Sequence, residues 1–130
     1  MSTDTARSAT GWATFTALFL FIVGVLNVLW GIAALSNEQN FSERGLVLSG
    51  LETWGWIVLV IGLFELLGAA LVANRHPFGV VVALIVASFG LMAHFVAIGA
   101  YPVWSVTLMI MNALVLWAVT VHNDEFQRYE

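Results

Sequence analysis

Hydrophobic residues run along this chain in four long blocks, each closed by a short polar or proline-containing break. The blocks are Trp12 to Leu35, Trp54 to Ala73, Phe78 to Gly99 and Trp104 to Val121. A helix crossing about 30 Å of hydrocarbon needs about 20 predominantly apolar residues, and each block is of that order. Lipid offers no partners for backbone N–H and C=O groups, so each block is predicted to be a helix. The breaks fit that reading. "NRHP" at 74–77 brings polar groups and a proline to a helix start, and "AYP" at 100–102 reads as a tight turn at the interface. Short connections make neighbouring helices antiparallel. The predicted fold is all-α, a four-transmembrane-helix antiparallel bundle. It comprises an N-tail 1–11, a membrane domain 12–121 with an outer loop 36–53, and a C-tail 122–130. The tails are polar and expected to be loosely ordered. Within the outer loop, "GLVLSGL" at 45–51 is too short to span and is expected to cap the outer face.

Each block contains one strongly polar residue: Asn27, Glu65, His94 and Asn112. At about 1.5 Å rise per residue, Glu65 and Asn112 fall near mid-span, with Asn27 about 5 Å and His94 about 8 Å toward the outer face. Small residues recur around them at helical spacing: Gly24 and Gly31 beside Asn27, Gly62, Gly68 and Ala69 beside Glu65, and Gly90 and Ala97 beside His94. Polar residues flanked by small ones turn toward a bundle interior, where helix backbones approach and polar groups find partners. The four are therefore expected to form one intramembrane polar seam. An acid at the bilayer centre costs about 2.5–3.5 kcal/mol on insertion scales. Burying it as the neutral acid, hydrogen-bonded to His94, Asn27 or Asn112, lowers that cost. Two readings of Glu65 stand at this point: interhelical glue, and a proton-active group.

Composition sharpens the class. Of 130 residues, 61% are hydrophobic and 9% charged, against about a quarter charged in soluble domains. So few charges cannot coat a water-facing surface. The net charge is −4 and lysine is absent, which removes the basic footprint of a nucleic-acid binder. Without cysteine there is no disulfide, thiol chemistry or cysteine-held metal. The first block is read as a retained helix. It is longer than the apolar core of about 7–15 residues in a signal peptide, and Asn27 and Trp30 interrupt it. Arg7, Arg75 and Arg128 fall on the side of the termini and only Arg44 on the other, which predicts cytoplasmic termini. Trp12 and Trp117 mark one interface, and Trp54, Trp56, Tyr101 and Trp104 the other, as aromatic anchors.

Cofactor chemistry finds incomplete donor sets. A bis-histidine haem wants two buried histidines, and His76 and His122 fall at the boundary. A di-iron carboxylate site needs several acids with a Glu-x-x-His pair. Zinc normally takes three or four convergent ligands, where Glu65 and His94 supply two. No phosphate loop or nucleophile elbow is present. No cofactor and no metal site are therefore predicted. Blocks one and two also share a pattern: Gly24, Asn27 and Gly31 align with Gly62, Glu65 and Gly68, each followed by paired alanines. Apolar segments resemble one another by chance, and the shared packing physics carries more than the repeat.

"GWATFTALFLFIVGVLNVLWGIAAL", "ETWGWIVLVIGL" and "AYPVWS" resemble a family of small four-helix bacterial membrane proteins, common in actinobacteria, to which no function is assigned. The likeness covers about residues 11 to 123, and Trp-Gly-Trp at 54–56 and Tyr-Pro-x-Trp at 101–104 are its most specific marks. The family often carries a histidine where this chain has Val58 and an acid where it has Asn112, and Glu65 is not one of its hallmarks. The resemblance implies four spans and transfers no activity. The function expected from the sequence is a non-enzymatic accessory or structural membrane component. Its partners are the lipid bilayer and a second copy or another membrane protein. A small oligomeric proton-coupled transporter using Glu65 is the runner-up, with a lipid or quinone binder third.

Overall fold

The computed structural model describes residues 3–36 and 50–122, the side chains of 3–10 and 51 excepted. It is all-helical over that range: α1 Thr3–Ser36, α2 Leu51–Ala73, α3 Gly79–Val96 and α4 Pro102–Val121, with a 3-10 turn Ala97–Gly99 between the last two. The expected cap at 45–51 and the C-tail lie largely outside the described residues. The N-tail expectation is corrected. From Thr3 onward the backbone is helical and continuous with the first span, because extending a nucleated helix adds one hydrogen bond per residue and no proline stands in the way.

Each helix buries a narrow stripe and exposes the rest. On α3 the stripe is Gly79, Ala83, Val86, Ala87, Gly90 and His94; on α4 it is Ser105, Leu108, Asn112, Val115, Ala118 and Val119. Phe21, Leu29, Phe64, Phe89, Met92 and Ile110 are among the large apolar side chains left exposed. In water such a surface would aggregate; in hydrocarbon it is solvated. All four helices are long and apolar enough to span. The chain is an integral membrane protein built as a four-helix bundle.

Glycine sets the closest helix pair. Gly24 and Gly31 on α1 face Gly62 and Gly55 on α2. A Cβ placed on Gly24 would meet the Gly62 carbonyl oxygen at 3.0 Å, and one on Gly31 would meet that of Gly55 at 2.8 Å. Glycines seven residues apart on each antiparallel partner therefore seat backbone on backbone. The turn between α2 and α3 has its own economy. Arg75 adopts φ 57°, and the amides of Arg75 and His76 return to the carbonyls of Val72 and Leu71 at 3.0 and 2.8 Å, a Schellman closure without glycine. Pro102 begins α4, where its missing N–H costs nothing.

Along the bundle, Leu20, Ala69, Val72, Val86, Val115 and Val119 make an apolar core toward the termini. Trp12, at the start of the first apolar block, ties α1 to the end of α4, stacked on His122 at 3.8 Å and edge-on to Trp117 at 5.2 Å. Toward the opposite end, Trp54, Val58 and Ala97 form a second core, with Trp30 packed against it. Trp54 corrects the anchor reading: it is 2% exposed and turned into the bundle, while Trp56, two residues on and therefore on the other face, is 54% exposed.

Candidate functional site

Between these two cores lies a belt of polar side chains, one from each helix. Asn27, Glu65 and Asn112 are fully buried and His94 nearly so. The Asn27 side-chain amide donates from Nδ2 to Glu65 Oε2 at 2.7 Å, joining α1 to α2. Its Oδ1 lies 3.1 Å from His94 Nε2, joining α1 to α3. Because Nδ2 is committed to the carboxyl group, Oδ1 faces the ring as an acceptor. The neutral His94 tautomer is therefore the one protonated on Nε2. Asn27 is the hub, and Glu65 and His94 do not bond each other directly.

Asn112 is placed differently. Its Nδ2 donates to the Leu108 carbonyl of its own helix at 2.9 Å, and its Oδ1 is buried without a partner. Glu65 Oε1 is likewise unpartnered. Both groups converge on Gly90: a Cβ there would lie 2.8 Å from Glu65 Oε1 and 3.0 Å from Asn112 Oδ1. The absent side chain of Gly90 thus makes the space in which the acid from α2 meets the amide from α4. The Asn112 Nδ2 lies at the same place, 2.9 Å from that Cβ position, and a carboxyl proton on Oε1 would give the buried acid a donor of its own there.

Two hydroxyl side chains that the four-residue seam did not include also belong to the interior. Ser105 and Thr16 are fully buried, and the oxygen of each is unpartnered. Ser105 stands one heptad before Asn112 on the buried stripe of α4, a spacing that was available in the sequence. Ser105 and His94 also line one small cavity of about 10 Å³, with Trp30, Trp54, Trp104 and Tyr101 among its walls. On the outside, α2 and α3 leave a wholly apolar groove of about 400 Å³ bounded by Val60, Phe64, Ile85 and Phe89.

An apolar exterior, four spanning helices and a polar belt sealed inside define a small polytopic membrane protein with an occluded polar centre. The chain belongs to the family described as a domain of unknown function, DUF7144, which matches residues 12–124. It is also similar to the "Rhomboid protease GlpG" of Serratia proteamaculans (strain 568), with 38% identity over 81 residues. That alignment takes in 59% of this chain and 29% of the relative, so the chain spans under a third of that protein's length. No solved structure matches the chain.

Proposed function

We propose that this protein is a non-enzymatic accessory or structural component of the bacterial plasma membrane. The polar belt holds its bundle together, and its apolar surface engages lipid and a membrane partner. Both termini lie in the cytoplasm, a placement supported by Arg7, Arg75 and Arg128 on their side. The observation that carries this reading is the direction of the chemistry. The fully buried Asn27 bonds both Glu65 and His94, so the groups best able to act on a ligand are engaged with one another inside the bundle. Peptide hydrolysis, the activity in the name of the Serratia relative, is less well supported. A nucleophile needs a hydrogen-bonded base. Ser105 Oγ has no partner and His94 Nε2 faces Asn27, in a cavity of about 10 Å³ that admits no peptide.

Photocrosslinking side chains placed at Phe64, Phe89 and Ile110, all lipid-facing, test the accessory reading in native membranes. A discrete protein adduct from one of these faces is expected. Lipid adducts alone at every position, together with substrate flux by the purified chain, would contradict it.

A second reading, proton-coupled transport by an oligomer, is favoured by one observation: Glu65 Oε1 and Asn112 Oδ1 are both buried beside Gly90, and neither has a hydrogen-bond partner. In proteoliposomes carrying a candidate substrate and a pH gradient, Glu65→Gln is expected to abolish coupled flux under this reading. Unchanged flux removes Glu65 from any coupling step.

A further inference from the structure

The cavity at the end of the bundle away from the termini gathers an unusual set of polar atoms. Trp54 Nε1, Trp104 Nε1 and Ser105 Oγ are all buried, all without a hydrogen-bond partner, and all belong to residues that line this one space. His94 lines it too. Buried polar groups in folded proteins are almost always partnered, by protein or by ordered water. Three such groups around one void therefore point to a shared partner within it.

We infer that this cavity is a binding site for a single water molecule, held by Trp54, Trp104, Ser105 and His94. Its volume, about 10 Å³, matches the space that one water needs and is too small for two. The valences also match. Indole Nε1–H groups only donate, so the two tryptophans fill both lone pairs of a water. His94 keeps its Nε2 proton toward Asn27, which leaves Nδ1 as an acceptor, and the Ser105 oxygen supplies a second. Two donors and two acceptors are what a tetrahedral water requires. An anion of similar size would gain the indole donors but would face the Nδ1 lone pair, so the set of four selects a neutral molecule.

The consequence reaches the polar belt. His94 belongs both to the cavity and to the Asn27–Glu65 chain, so the water extends that chain toward one end of the bundle. It also joins Trp54 of α2, His94 of α3 and Trp104 and Ser105 of α4 around one point. The Trp-Gly-Trp segment acquires a division of labour: Trp54 turns its N–H inward to the water and Trp56 faces lipid.

The site is tested on the full chain in lipid nanodiscs with indole 15N labelling, assigning the two resonances by Trp54→Phe and Trp104→Phe. Dipolar cross-peaks to a long-lived water are expected at the Nε1–H of both residues. Ser105→Val, which fills the void, should remove both cross-peaks while the indole spectrum keeps its dispersion. Should that variant fail to fold, Ser105→Ala, which deletes one acceptor, is expected to weaken them. Absence of a water cross-peak at both indoles overturns the proposal. So does a saturable shift of both resonances when chloride replaces gluconate, which would assign the site to an anion. Either result leaves the accessory reading standing, because that rests on the Asn27 hub.

Discussion

Gly62→Ala is expected to destabilise the bundle by about 2 kcal/mol or more, while Gly68→Ala, further along the same helix, leaves stability unchanged or slightly raised. A Cβ on Gly62 would lie 2.8 Å from the Val28 amide nitrogen and 2.9 Å from the Gly24 carbonyl oxygen. Neither obstacle is the end of a flexible side chain. Relief requires α1 and α2 to separate along their whole contact, which also disturbs the Gly31–Gly55 approach further along. At Gly68 the same methyl would meet Val82, Leu20 and Val86 at 3.4–3.6 Å, ordinary contact distances. There the alanine contributes its better helix propensity, about 1 kcal/mol at most. Unfolding titrations in mixed micelles separate the two variants. Equal losses at both positions would mean that the α1–α2 approach is looser than described.

Asn27→Leu carries the second large effect, a loss of about 2–3 kcal/mol. Hydrogen bonds between membrane helices average only about 0.6 kcal/mol, because the separated helices find other partners. Asn27 exceeds that average because one side chain holds two bonds. Its removal leaves Glu65 Oε2 and His94 Nε2 buried with no partner in view. The cost is that of the orphaned groups more than of the bonds themselves. It follows that Asn27→Leu combined with Glu65→Leu should recover part of the loss, since no carboxyl group is then stranded. The same titrations supply the double-mutant cycle. A strictly additive cycle would mean that Asn27 and Glu65 do not act as a pair.

Much of this architecture was legible in the sequence. Four blocks of spanning length lead to four helices whatever the details, since a backbone in lipid has no other way to satisfy itself one segment at a time. The four polar residues stood out because each is the lone strongly polar group in its block. Their inward orientation followed from the small residues at three- and four-residue spacing. The apparent likeness of blocks one and two acquires a physical sense: Gly24 meets Gly62 and Asn27 bonds Glu65, so corresponding residues touch across the α1–α2 contact. The other glycine in that alignment does not follow. Gly31 packs on Gly55, and Gly68 looks toward α1 and α3 with room to spare.

What the sequence determined by itself is therefore the set of elements and the faces they bury, because hydrophobic length and helical period are local quantities that any solvent of low polarity enforces. Which buried group meets which was settled only by the tertiary structure. His94 is an obvious partner for Glu65 on paper, yet Asn27 stands between them. Gly90 has no chemistry of its own, yet it makes the gap that Glu65 and Asn112 share. Trp54 and Trp56 read alike as interface anchors until the helix turns one inward. These choices depend on helix rotation and register to within a fraction of a turn. Those are set by backbone-to-backbone contacts at Gly24, Gly31, Gly55 and Gly62, between residues distant in the chain, and no single segment contains them.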